Sequence, residues 1–128
     1  MLKSLIIFDN VDSKILFQTR DNEFLREHQD IVIGFLKAID DWASQYSGKG
    51  ADVFQTESLR ITFKKSQEFN LTFASCTDLS DPLDVDKEHL ETIKYAFIHS
   101  YWELFTSDKR KNLTDEDKEE FKALLESI

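Results

Sequence analysis

The order in which hydrophobic patterns follow one another along this chain restricts its fold more than any single residue does. Two short strand-like runs precede one long amphipathic helix. More strand-like runs follow, and two helices end the sequence. Each run must bury its apolar face against a neighbour, so this order predicts sheet and helix layers packed around shared cores.

Leu2 to Phe8 carries apolar residues at consecutive positions, the pattern of a strand covered on both faces. Asp9-Asn10-Val11-Asp12-Ser13 supplies turn chemistry, and Ile15-Leu16-Phe17 returns as a second strand to complete a hairpin. Phe24, Leu25, His28, Ile31, Val32, Phe35, Leu36, Ile39, Trp42, Ala43 and Tyr46 then recur at steps of three and four, predicting a helix from about Glu23 to Tyr46. On this reading Phe35 faces the core, and Phe35→Ala costs ~3–5 kcal/mol. Gly34 inside the helix costs about 1 kcal/mol relative to Ala, which close packing against a strand would explain. Gly48 and Gly50 mark the stop.

Val53 to Glu57 reads as a short strand. Leu59, Ile61 and Phe63 alternate with Arg60, Thr62 and Lys64, and Phe69, Leu71 and Phe73 alternate with Asn70 and Thr72. With the polar turn Lys65-Ser66-Gln67-Glu68 between them, these two runs predict a second hairpin. Asp84 and Asp86 are expected to cap the next helix, whose stripe is Leu90, Ile93, Phe97, Tyr101, Leu104 and Phe105. After the polar linker Lys109-Arg110-Lys111, Thr114 with Asp117 resembles a capping box, and Phe121, Leu124, Leu125 and Ile128 form the last apolar face. Consecutive hairpins make most of the sheet antiparallel.

A length of 128 residues is expected to form one domain spanning 1–128. The net charge of −9 opposes binding to nucleic acid and to anionic membranes, because phosphate attraction needs clustered Lys and Arg. No stretch is long and apolar enough to serve as a signal peptide or membrane span, and a cytoplasmic location is expected. On that basis the sequons at Asn70 and Asn112 read as chance matches.

The chain offers little for catalysis. Its three glycines, at 34, 48 and 50, cannot write a phosphate loop or a dinucleotide fingerprint. His28 falls in the apolar stripe, and His89 and His99 lack the one-turn spacing of a metal pair. Cys76 is alone and reads as a small hydrophobe. The acidic run Asp78, Asp81, Asp84 and Asp86 lacks the glycine and terminal glutamate of a calcium loop. Trp42, Tyr46, Tyr101 and Trp102 read as core or rim packing. No catalytic, cofactor or metal residue is expected.

The succession Leu5-Ile6-Ile7-Phe8-Asp9, Lys14-Ile15-Leu16-Phe17, the helix carrying Ile33-Gly34-Phe35-Leu36-Lys37-Ala38-Ile39, Leu59-Arg60-Ile61-Thr62-Phe63, Phe69-Asn70-Leu71-Thr72-Phe73 and the paired end helices resembles a longin domain. That family stands with the roadblock, sedlin-type and small-adaptin folds, sometimes grouped as SNARE-like. The resemblance implies an α+β fold in β-β-α-β-β-β-α-α order. Its five-stranded antiparallel sheet would carry one long helix on one face and two helices on the other. It further implies a non-catalytic interaction module in small-GTPase regulation or vesicle trafficking. Such a module pairs through the first helix and third strand, with itself or with longin or roadblock proteins, and would reach membranes only through partners. Carried onto this sequence, the partner-binding residues are Asp30, Lys37 and Asp41 on the helix and Val53, Phe54, Gln55, Thr56 and Glu57 on the strand. A longin SNARE would continue into a heptad segment and an anchor, whereas this sequence reads as a stand-alone unit. An alternative is a PAS- or profilin-like small-molecule sensor, in which Phe63, Phe69 and Phe73 near Trp42 would enclose a ligand cavity.

Overall fold

The computed structural model describes residues 2–11, 14–19, 29–47, 52–106 and 113–128. The elements are β1 (Leu2–Asp9), β2 (Lys14–Gln18), α1 (Gln29–Ser47), β3 (Val53–Gln55), β4 (Arg60–Ser66), β5 (Leu71–Thr77), α2 (Leu83–Thr106) and α3 (Asp115–Ser127). The expected helix start near Glu23, His28, the glycine stop at Gly48 and Gly50, and the Lys109-Arg110-Lys111 linker all lie outside the described residues.

The five strands form one antiparallel sheet in the order β2-β1-β5-β4-β3. The central pair, β1 and β5, joins the chain's beginning to its middle, with Ile7 opposite Phe73 and Ile6 opposite Ala74. Because successive strand residues point to opposite faces, the apolar run in β1 supplies two cores at once. Leu5 and Ile7, with Leu71 and Phe73, pack under α2 and α3. Ile6 and Phe8, with Phe63 and Ala74, pack under Leu36 of α1. Among the described residues, one long helix therefore covers one face and two helices the other.

A bulge adjusts the β1–β2 pairing. Ile7 opposes Phe17 and Phe8 opposes Ile15, leaving Leu16 as the extra residue on β2. That extra residue lets the adjacent Leu16 and Phe17 both join the α2–α3 core. Aromatic rings tie this core together. Phe121 of α3 meets Phe17 edge-on at 4.9 Å and Phe97 of α2 at 5.2 Å, and Phe97 meets Phe73 at 5.7 Å.

Local chemistry sets the element ends. β5 begins at Leu71, two residues later than its alternation suggests, because Asn70 turns the chain at φ 54°. Phe69 is thereby placed in the turn, where it is buried against Phe105. The first turn of α2 is closed by the Pro82 carbonyl, which accepts from the amides of Val85 and Asp86. Asp84 and Asp86 thus lie inside that turn and do not cap it. The box ahead of α3 is complete. The Thr114 hydroxyl accepts from the Asp117 amide at 3.1 Å, and the Asp117 carboxylate accepts from the Thr114 amide at 3.1 Å. An aspartate thus does what glutamate usually does.

Candidate interaction site on α1 and β3

The sequence reading made one broad apolar face of the long helix; the structure divides it in two. Ile33 and Leu36 point into the sheet, with Ile39 packed partly against the same cluster. Phe35 and Trp42 point outward, 52% and 64% exposed. Phe35 is therefore not a core residue. Its position is one helical step of about 100° from Leu36, enough to carry the ring over the edge of the core stripe. Ala38 and Gly34 are exposed on the same outer side, and among the described residues outside the helix's own backbone nothing lies within 4 Å of where a Gly34 Cβ would be. Close packing against a strand does not account for this glycine.

Beside this surface runs β3, the last strand of the sheet. Its register places Phe54 opposite Ile61, on the face that α1 covers. The Phe54 ring meets Phe35 edge-to-face at 6.2 Å, which bridges helix and strand. One side of β3 has no strand partner among the described residues, so backbone donors and acceptors remain there. The chain then turns back at Thr56, whose amide donates to the Leu59 carbonyl at 2.8 Å and whose hydroxyl accepts from the Leu59 amide at 3.1 Å.

The residues carried over from the family are distributed unevenly over this surface. Phe54, Gln55, Thr56 and Glu57 are exposed along the β3 edge and its turn, and Val53 is half-buried. Gln55 also accepts a bond from the Arg60 Nε at 3.1 Å, so it braces β4. Asp41 is exposed on α1 and Lys37 half-buried; the Asp30 side chain lies outside the described residues. Lys37 stands two residues beyond Phe35 and so projects from another side of the helix, away from β3. Phe35, Trp42, Ala38 and Gly34 were missed as surface residues. The signal was present, since Phe35, Ala38 and Trp42 repeat at steps of three and four on their own line, displaced from Ile33, Leu36 and Ile39.

The alternative ligand cavity is not formed by the residues proposed for it. Phe63 lies in the α1 core, Phe69 and Phe73 lie in the α2–α3 core across the sheet, and Trp42 faces outward. In the acidic run, Asp78 accepts from the Ser80 hydroxyl and amide, which hold its carboxyl down at about 2, and Asp86 is buried against Arg60. Among the described residues no three His, Cys, Asp or Glu side chains converge as a metal site, and no helix is long and apolar enough to cross a membrane.

No family's sequence profile matches the chain, and no curated protein matches it. Its backbone is similar to that of MglB from Myxococcus xanthus, with a TM-score of 0.57 over 80% of this chain and 84% of that one, at 8% identity. A likeness at that identity concerns the fold. Among the described residues the five-stranded antiparallel sheet and three helices form an α+β architecture of the longin/roadblock type.

Proposed function

We propose that this chain is a non-catalytic interaction module that pairs through α1 and β3 and presents the resulting platform to a small GTPase. The partner in the pair is a second copy or a related longin or roadblock protein. Its setting is small-GTPase regulation or vesicle trafficking in the cytoplasm, with membranes reached through partners.

The observation that carries this reading is an exposed aromatic strip, Phe35, Trp42 and Phe54, lying beside an open strand edge. Apolar area of this kind is stabilised by leaving water, and an open edge can add a neighbouring strand through backbone bonds. Gly34 fits the same use. A glycine in mid-helix costs about 1 kcal/mol relative to alanine, and nothing among the described residues needs its small size. Together with Ala38 it leaves a shallow stretch of helix that a second helix can approach closely. The polar Gln55, Thr56 and Glu57, and the shortness of β3, restrain indiscriminate edge association. The fold likeness points the same way, MglB being a roadblock/longin-fold GTPase regulator.

Sedimentation across a wide concentration range, together with capture of purified small GTPases in both nucleotide states, tests the proposal. The expected result is a reversible dimer that Phe35→Glu with Trp42→Glu converts to a monomer, and a GTPase captured by the dimer only. A chain that stays monomeric at every concentration and captures no GTPase in either state would overturn it.

A further inference from the structure

On the sheet face opposite α1, helix α2 carries a second exposed aromatic line. Tyr95, His99 and Trp102 are spaced by four and three residues and so lie along one side of the helix. Tyr95 is 73% exposed and Trp102 49%. The Tyr95 and His99 rings are nearly parallel, 5° apart in plane with centroids at 6.2 Å. The β4–β5 turn rises beside them and brings up Glu68 and Phe69. Together with Ile98 these residues line an open groove of about 310 Å³, at the small end of the range for ligand sites.

The groove has a definite chemical character. Its walls are mostly apolar and offer three exposed ring systems, and its one formal charge is the Glu68 carboxylate, which is in no ion pair or hydrogen bond among the described residues. Aromatic faces carry negative potential and attract cations, tryptophan most strongly, and arginine is the cation that most often lies over them. A guanidinium stacks flat on a ring while its edge donates to a carboxylate, which an ammonium cannot do as well. The chain's charge of −9 adds a long-range attraction for basic partners.

We propose that this groove binds an arginine side chain of a basic partner polypeptide, the guanidinium lying over Trp102 or the Tyr95–His99 pair and donating to Glu68. The site is independent of the α1–β3 platform and lies across the sheet from it.

The test uses the full chain labelled for NMR and a short, otherwise uncharged peptide with two arginines, beside its citrulline, lysine and norleucine counterparts. The arginine peptide is expected to shift the Trp102 indole and the amides of Glu68, Tyr95 and His99. Trp102→Ala should weaken binding roughly 2- to 30-fold, the range for a cation–π contact, and Glu68→Gln about 2- to 5-fold, with added salt reducing binding further. Both positions are exposed, so the variants keep their fold, which their amide spectra verify. Citrulline binding as tightly as arginine, or shifts confined to α1 and β3, would overturn the proposal. So would tetramethylammonium occupying the groove while the arginine peptide does not, since that describes a small-cation cage. The Phe35→Glu, Trp42→Glu double variant is expected to bind the peptide as the parent does, which separates this result from the fate of the pairing surface.

Discussion

Arg60 and Asp86 meet at 2.5 Å inside the molecule, the guanidinium of β4 against a carboxylate in the first turn of α2. Their side chains are 9% and 4% exposed, and neither charge is left to its partner alone. Arg60 also donates to the Asp81 carbonyl at 2.9 Å and to Gln55, and Asp86 accepts from the Thr77 hydroxyl at 2.9 Å. The cluster joins β3, β4, β5 and the loop before α2 at one end of the sheet.

Removing one member of such a pair leaves the other charge buried without compensation. Asp86→Ala is therefore expected to cost about 3–5 kcal/mol in urea denaturation. The double replacement Arg60→Met, Asp86→Leu is expected to recover much of that loss, because it removes both charges. A double variant as unstable as the single one would show that the fold needs the charges themselves.

The same pair marks the limit of what the sequence discloses. In the alternation Leu59, Arg60, Ile61, Thr62, Phe63, a period of two places Arg60 and Thr62 on the side away from Ile61 and Phe63, and that assignment is right. It does not tell that a helix covers the other side as well, so Arg60 and Thr62 are buried. Leu59, at the strand entrance, is the exposed one. Element order and both hairpins were legible because they depend on local periodicity and turn residues. Which arc of α1 faces the sheet was not, since a stripe of eleven residues at steps of three and four is wider than the sheet contact. That excess width is the candidate interaction surface.

The division of α1 gives a direct comparison between neighbours. Leu36→Ala opens a cavity among Ile6, Phe8 and Phe63 and is expected to cost about 2–5 kcal/mol. Phe35→Ala loses half-exposed area and one edge-to-face contact and is expected to cost about 1 kcal/mol in dilute protein. If α1 pairs with another chain, the Phe35 cost grows with protein concentration while the Leu36 cost does not. Thermal denaturation over a hundredfold concentration range, an interval of about 3 kcal/mol in mass action, separates the two cases.

Thr62 and Ser75 face each other across β4 and β5 under α2, and neither hydroxyl has a hydrogen-bond partner among the described residues. A buried, unsatisfied hydroxyl opposes folding. Thr62→Val keeps the shape and removes the polar atom, and it is expected to leave stability unchanged or raise it by up to about 1 kcal/mol. A clear loss on urea denaturation would mean that an ordered water holds the two hydroxyls together.

Tyr101 ties α2 to α3 where α2 leaves helical geometry, at φ −127° and ψ 16°. Its ring packs on Phe97 and Phe121, and its hydroxyl donates to the Asp117 carbonyl at 2.9 Å. Burial, with the nearby carboxylates of Asp117 and Glu120, disfavours the phenolate and pushes the pKa above its ordinary value of 10.0. A proton held more tightly in the folded chain favours folding. That contribution is fully present below the unfolded-state value near 10 and is lost as pH rises through the higher folded value. At neutral pH Tyr101→Phe is expected to cost about 1 kcal/mol for the lost hydrogen bond. The parent's stability should then fall toward the variant's as pH climbs past about 10, where the phenol ionises in the unfolded chain. Urea denaturation of both proteins along an alkaline series, with tyrosinate absorbance followed in parallel, measures the effect. A gap between them that stays constant through that series would show that the hydroxyl is not held as the structure places it.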